Sequence, residues 1–366
     1  MVRRLHVHTP SGAYPIYIGE GIRHRVGEWL AARDFTRQAV MITDENVAPY
    51  YAHDVRVALE TSGFTVTLIT LPAGESHKNL DTVRHVYNTV IHAGIDRQTP
   101  IIALGGGVIG DLSGFVAATI LRGVPFVQMP TTLLAMVDAS VGGKTGVDMP
   151  QGKNLVGAFK FPEMVIADVE TLTTLPQVEI ACGLAEVIKH GIIGDPAILE
   201  DVRRGQWHWP TLVERAVQVK INVVEEDPFE EGRRAVLNLG HTFAHALENV
   251  LSYRLPHGLA VSMGLVAAAR LGVALGLTPP HLVDDVETLL QQVGLPRHWA
   301  DITDLGPSPP VEAVLQAMAT DKKRLRRRLR FVIPREYGRV EIVSDVPALQ
   351  VRRVVEIMLS IPRSGY

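Results

Sequence analysis

Lysine is scarce in this 366-residue chain, and the places where it persists look chemical. Of 36 lysines and arginines only eight are lysine: Lys78, Lys144, Lys153, Lys160, Lys189, Lys220, Lys322 and Lys323. Arginine carries a planar cation that never deprotonates, whereas lysine offers a compact ammonium whose charge can be tuned. Three of the contexts are Gly142-Gly143-Lys144-Thr145-Gly146, Gly152-Lys153-Asn154 and Glu186-Val187-Ile188-Lys189-His190. Codon bias accounts for any single lysine as well as chemistry does. As a group they point to a polyanionic substrate, a phosphate ester that also bears a carboxylate.

The histidines suggest a second chemistry. In His241-Thr242-Phe243-Ala244-His245 the helical spacing puts both imidazoles on one face. His257 opens the following helix, and Glu186 sits on a helix over 179–190. One glutamate and two or three histidines from separate helices can bind Zn²⁺ and leave a coordination position open. A helical histidine pair is by itself as readily a surface feature. Lys189 and His190 beside Glu186 favour the metal reading. So does the polar stripe Asn238, His241, His245 and Glu248 on a helix otherwise apolar over 237–250. Spacing alone assigns both His241 and His245 to the metal.

A nucleotide signal lies upstream. Gly105-Gly106-Gly107-Val108-Ile109-Gly110-Asp111 follows an apolar strand and opens a helix. Glycines there admit a pyrophosphate to the backbone, and the helix start supplies N–H groups and a positive dipole end. The acidic residue expected about twenty positions on is absent, since Phe126–Leu134 occupies that stretch. Asp44, at the end of an apolar strand, is the candidate ribose acceptor; it would favour NAD over NADP. A tight strand–helix turn is the alternative reading of the glycines.

These residues need a scaffold. Strands over 3–9, 14–19, 38–43, 64–70, 100–104, 125–129 and 164–168 alternate with helices over 22–33, 48–62 and 80–93. Such alternation predicts a parallel sheet covered by helices. Beyond Pro176 the pattern turns helical, over 179–193, 196–203, 211–224, 237–250, 257–276 and 282–293. A late hairpin (329–333 with 339–343) and a helix over 347–359 follow. The expected fold is α/β + all-α: an N-terminal Rossmann-like parallel-sheet domain, residues 1–175, then a mainly helical metal-binding domain, residues 176–366. Hydrophobic residues make up 46% and charged residues 20%, which is ample for a core. A net charge of −3 argues against nucleic acid or an anionic membrane as partner. The basic run Lys322–Arg330 reads as a solvated face or an anion-binding edge. One cysteine, Cys182, fits a reducing cytoplasm. No secretory signal is expected, and the apolar stretch 259–277 reads as a buried helix.

Taken together, the motifs resemble 3-dehydroquinate synthase, a sugar-phosphate cyclase family. The likeness rests on Gly105–Asp111, Pro130-Thr131-Thr132 through Asp138 to Gly146, Gly152–Phe159, Gly183-Leu184-Ala185-Glu186-Val187-Ile188-Lys189-His190-Gly191 and Leu237–Phe243, and it spans nearly the whole chain. It implies a homodimer with the active site in the cleft between domains. It implies conversion of 3-deoxy-D-arabino-heptulosonate 7-phosphate to 3-dehydroquinate and phosphate, in the shikimate pathway. The course would be transient NAD-dependent oxidation, phosphate elimination, re-reduction and intramolecular aldol closure. By matching position, Glu186, His241 and His257 would hold Zn²⁺ or Co²⁺, and His245 becomes a neighbour that moves protons. Lys144, Lys189, Lys220, Glu230, Asn238 and His245 match catalytic positions. Arg122 (from the partner subunit), Asp138, Lys153, Asn154, Arg234 and one of Lys322 and Lys323 match substrate-binding positions. Nucleotide contacts would be Asp44, Asn46, Glu75, Lys78, Gly106, Gly107, Val108, Asp111, Thr131, Thr132, Lys144, Lys153 and Thr174. One departure stands out: Leu259 follows His257-Gly258 where the family usually has glutamate, so metal binding is expected to persist with a changed orientation of His257. Another sugar-phosphate cyclase and a metal-dependent NAD polyol dehydrogenase remain the competing readings.

Overall fold

The computed structural model describes residues 1–324 and 329–360. By contacts the chain divides into two compact units: Met1–Pro176 with Trp209–Phe229, and Gln177–His208 with Glu230–Tyr366.

The first unit is built on β1 (Arg3–Thr9), β2 (Gly12–Gly19), α1 (Val26–Ala31), β3 (Gln38–Asp44), α2 (Ala48–Thr61), β4 (Thr65–Leu71) and α3 (Leu80–His92). It continues through β5 (Ile101–Gly105), α4 (Gly107–Thr119), β6 (Phe126–Pro130), β7 (Lys144–Met149), β8 (Gly152–Phe159) and β9 (Met164–Asp168). Seven strands form one sheet in the order β1-β2-β9-β6-β5-β3-β4. Every pairing is parallel except β1 with β2. Strand side chains alternate between faces, and both faces are covered. Val40, Ile42, Ile101 and Ala103 pack with α3 and α4, whereas Ala39, Met41, Ile102 and Leu104 pack with α1 and α2. The expected order of strands and helices is thus present. β7 and β8 pair as an antiparallel hairpin outside the main sheet, an element the sequence pattern did not suggest.

The chain then runs through α5 (Gln177–Ile193) and α6 (Pro196–Arg204) of the second unit and returns to the first as α7 (Trp209–Glu226). The sequence reading divided the chain at 175/176, which assigned this helix to the other domain. In the structure α7 packs on β1, β2 and the π-helical turn Ala135–Ala139.

The second unit adds α8 (His241–Val250), α9 (His257–Ala274), α10 (Pro280–Gln292), α11 (Val311–Arg324), the hairpin β10 (Arg330–Glu336) with β11 (Arg339–Ser344), and α12 (Ala348–Leu359). α9 is its centre, with α5, α8, α10 and α12 all packed against it. By length and composition α9 could cross a membrane, but 72% of it is buried within the structure, as a core helix would be. Two glycines let backbone meet backbone closely here. A Cβ on Gly258 would sit 2.2 Å from Cys182 Cα of α5, and one on Gly264 would sit 2.2 Å from the Gly240 carbonyl oxygen ahead of α8.

Candidate functional site

In the first unit the nucleotide candidates gather where parallel strands end. Asp44 ends β3 and Asn46 follows it, Glu75 and Lys78 follow β4, Gly106, Gly107, Val108 and Asp111 follow β5, Thr131 and Thr132 follow β6, and Thr174 follows β9. Ligands of open α/β sheets bind outside these carboxyl ends. Gly106 caps α4 in extended backbone (φ −76°, ψ −169°), and a Cβ there would lie 3.1 Å from Thr132 Cγ2. Asp44 Oδ1 accepts the N–H groups of Asn46 and Val47 at 2.9 and 3.1 Å, which closes the turn after β3. Thr174 Oγ1 lies 2.5 Å from the Tyr51 hydroxyl. The hydroxyls of Thr131 and of Thr43, a neighbour the sequence reading passed over, are buried with no hydrogen-bond partner among the described residues. Buried hydroxyls without a protein partner beside the strand ends can be satisfied by a polar ligand, which is compatible with a dinucleotide in this unit.

Lys78 ties that edge to the β7–β8 hairpin. Its ammonium, 4% exposed, donates to Asp111 Oδ2 at 2.6 Å and to Asn154 Oδ1 at 2.7 Å. Lys153 Nζ lies 3.5 Å from Glu75 Oε1. The Asp148 N–H donates to the Lys78 carbonyl at 2.7 Å, and Asn154 N–H donates to Asp148 Oδ1 at 2.8 Å. Burial works against the Lys78 ammonium, but Asp111 and Glu75 outweigh it and raise its pKa. Burial raises the pKa of Asp111, and Lys78 opposes that rise. Lys220, on α7, donates to Asp138 Oδ1 at 2.8 Å and to the Asp138 carbonyl. Lys144 begins β7 and is exposed. Arg122 follows Leu121 on a turn where both residues take left-handed backbone (φ 48° and 66°). Glycine usually occupies such positions, and strain of this kind persists only where the surrounding fold over-determines it.

The second unit holds the metal candidates. Glu186 of α5, His241 at the start of α8 and His257 at the start of α9 bring their donor atoms within 4.8 Å of one another. Both Nε2 atoms lie 3.5 Å from Glu186 Oε1. The opposite ring nitrogens are held: His241 Nδ1 by the Leu239 carbonyl at 3.1 Å, His257 Nδ1 by Glu248 Oε1 at 3.3 Å. Holding Nδ1 fixes the tautomer that turns Nε2 toward an ion. A carboxylate and two oriented imidazoles fit a catalytic Zn²⁺ or Co²⁺ with room for substrate oxygens. Burial, and then the Lys189 ammonium, push His241 down to about 3, which keeps it neutral. Burial also opposes charge on His257, but hydrogen bonds to Glu186 and Glu248 prevail and carry it to about 10.

Spacing alone had assigned His245 to the metal. Its ring centroid lies 5.3 Å from that of His241, but its side chain is exposed and outside the three-residue donor set. Lys189, 1% exposed, forms an ion pair with Glu186, 0% exposed. Arg234 is buried, and Asn238 Nδ2 donates to Glu230 Oε1 at 3.3 Å. Asn238 is not part of the α8 stripe. It ends a 3-10 turn over Arg233–Asn238, and Gly240 at φ 78° breaks the chain before α8. Lys322 and Lys323 fall at the end of α11, and their side chains lie outside the described residues. The sequence reading had Glu248 only as one polar residue of the stripe. Its burial behind His257 required the turn between α8 and α9. Leu259 follows in α9, and Glu248 holds the Nδ1 of His257.

Models of two domains match: 3-dehydroquinate synthase N-terminal over residues 68–182 and 3-dehydroquinate synthase C-terminal over residues 183–324. The 3-dehydroquinate synthase of Symbiobacterium thermophilum is 43% identical over 94% of this chain and 98% of its own. Among solved structures, a 2-deoxy-scyllo-inosose synthase complexed with carbaglucose-6-phosphate, NAD⁺ and Co²⁺ superposes with a TM-score of 0.86 at 24% identity, over 96% of this chain and 99% of that one. A 2-epi-5-epi-valiolone synthase from Streptomyces hygroscopicus subsp. jinggangensis with NAD⁺ and Zn²⁺ bound superposes at 0.81 with 25% identity, over 93% and 95%. The chain belongs to the 3-dehydroquinate synthase family.

Proposed function

We infer that this chain converts 3-deoxy-D-arabino-heptulosonate 7-phosphate to 3-dehydroquinate and inorganic phosphate. The course is transient oxidation, phosphate elimination, re-reduction and intramolecular aldol closure. It is a lyase of aromatic amino acid biosynthesis that uses NAD and a divalent cation, Zn²⁺ or Co²⁺. The observation that carries this reading is the convergence of Glu186, His241 and His257 in a member of this family. When bound, the cation supplies Lewis acidity to substrate hydroxyls and the nicotinamide a hydride acceptor that is restored within each turnover.

The chain's own residues bind, orient and move protons. Glu186, His241 and His257 are the ligands of the cation. Lys144, Lys153, Asn154, Lys189, Lys220, Arg234 and one of Lys322 and Lys323 hold the carboxylate and phosphate. An ammonium serves a phosphate as a point charge without demanding bidentate geometry. Holding both anionic ends restricts the sugar acid to a reactive conformation. Asp138 steers the Lys220 ammonium through the contact at 2.8 Å. Asn238 orients Glu230 through its side-chain amide, which leaves Glu230 set to take up a proton. His245, exposed beside His241, exchanges protons with water. Asp44 receives the ribose, Gly106 and Gly107 face the pyrophosphate, and Asn46, Glu75, Lys78, Val108, Asp111, Thr131, Thr132 and Thr174 line the nucleotide. The active unit is a cytoplasmic homodimer in which Arg122 is offered to the partner's substrate phosphate.

Incubation with the heptulosonate phosphate, NAD⁺ and Zn²⁺ tests the reading. The expected products are the carbocycle and one equivalent of phosphate with no net NADH, and EDTA abolishes both. Accumulation of NADH without phosphate would instead favour a polyol dehydrogenase.

A further inference from the structure

The turn between α8 and α9 is strained, and it delivers a carboxylate to a metal ligand. Glu248 lies in the last turn of α8 and is 3% exposed. Ser252 and Tyr253 follow in left-handed backbone, φ 50° and 60°, without a glycine between them. Such positions cost about 1–3 kcal/mol each and persist where the surrounding fold over-determines them. The Tyr253 N–H donates to the Glu248 carbonyl at 2.7 Å, which folds the turn back on the helix that precedes it. The chain then enters α9 at His257, whose Nδ1 lies 3.3 and 3.4 Å from the two Glu248 carboxylate oxygens. A buried carboxylate must be compensated, and an imidazole N–H does so here. His241 is held differently, by the neutral Leu239 carbonyl at 3.1 Å.

We propose that Glu248 is a positioning residue for the metal centre: by accepting the His257 Nδ1 hydrogen bond it fixes the ring so that Nε2 faces Glu186 Oε1 and makes that nitrogen a stronger donor to the cation. The inference rests on the assignment of Glu186, His241 and His257 as ligands. Loss of an outer carboxylate of this kind typically costs about 10–100-fold in metal affinity, because it orients the ligand and raises its basicity.

The full chain, stripped with chelator and titrated with Zn²⁺ and with Co²⁺ by calorimetry, tests it. Glu248→Ala is expected to weaken both metals by roughly 10–100-fold and to shift the visible Co²⁺ spectrum. Glu248→Gln keeps an acceptor oxygen but loses the charge, and is expected to fall between Ala and wild type. NAD⁺ affinity, a property of the first unit, should not move in either variant. Should Glu248→Ala fail to fold, ¹⁵N-histidine spectra of the zinc-loaded wild type and Glu248→Gln serve instead: a strongly shifted Nδ1–H signal that His257→Ala removes should weaken in the Gln variant. If His257→Ala abolishes metal binding while both Glu248 variants bind and absorb as wild type does, the positioning role is overturned and the ligand assignment stands. If wild type binds neither metal, or His257→Ala binds as wild type does, the ligand assignment itself falls and this inference with it.

Discussion

Lys189 and Glu186 form a wholly buried ion pair on consecutive turns of one helix. Removing one partner of such a pair typically costs about 3–5 kcal/mol, because the other charge is left in a low dielectric. Here the carboxylate also faces His241 and His257, so the loss should lie toward the lower end. A divalent cation would compensate Glu186 more fully than an ammonium. Lys189→Met is therefore expected to lower the melting temperature of the chelated chain, to regain most of that loss on addition of Zn²⁺, and to bind Zn²⁺ at least as tightly as wild type. If Lys189 holds the substrate anion as proposed, turnover should be lost as well. Calorimetric melts with EDTA and with zinc measure both terms. Equal melting of the two proteins in EDTA would show that the pair contributes nothing to stability.

Close helix approach brings Glu186 and His257 together. α9 starts beside α5 because Gly258 lets the backbones touch, with Cys182 Cα 2.2 Å from where a Cβ would stand. Gly258→Ala must push α9 off α5, and overpacking of this sort costs about 1–3 kcal/mol. The same movement carries His257 away from Glu186. Zn²⁺ affinity should therefore fall in parallel with stability, and a variant that melts lower but binds zinc normally would refute the link. This geometry explains what the sequence disclosed and what it hid. The glycine loop, the histidine pair and the strand–helix alternation were legible because each is a local pattern with a local cause. Asn238 was misplaced because helical spacing carries straight through Gly240, and only the left-handed backbone there reveals the break. The β7–β8 hairpin was hidden by its glycines. A Cβ on Gly157 would meet the Thr145 carbonyl oxygen at 2.3 Å, so these positions pair closely by lacking the β-branched residues that advertise a strand. α11 was missed between a proline-rich loop and a basic run; among its described side chains only Val314 and Met318 are deeply buried apolar residues.

For the chain as a whole, the consequential surprise is the return of α7. Periodicity specified an amphipathic helix there, but an apolar stripe does not name the surface that will cover it. Within the first unit α7 packs on β1 and β2, Lys220 grips Asp138, His8 meets Glu225 at 2.8 Å, and Arg3 pairs with Glu214. Its buried residues include Leu212, Val213, Val217, Val219, Ile221, Val223 and Val224. Full burial of each such side chain is worth about 1.5–3 kcal/mol, so together they match or exceed the about 5–15 kcal/mol by which a typical domain is stable. A fragment ending at Pro176 is therefore expected to lack a cooperative melt and to bind NAD⁺ poorly, although it contains the whole seven-stranded sheet and every proposed nucleotide contact. A fusion that joins 1–176 to 209–229 through a flexible linker should recover both properties. If the fragment 1–176 alone melts cooperatively and binds NAD⁺ as the full chain does, α7 is dispensable to the first unit and the division at Pro176 was sufficient after all.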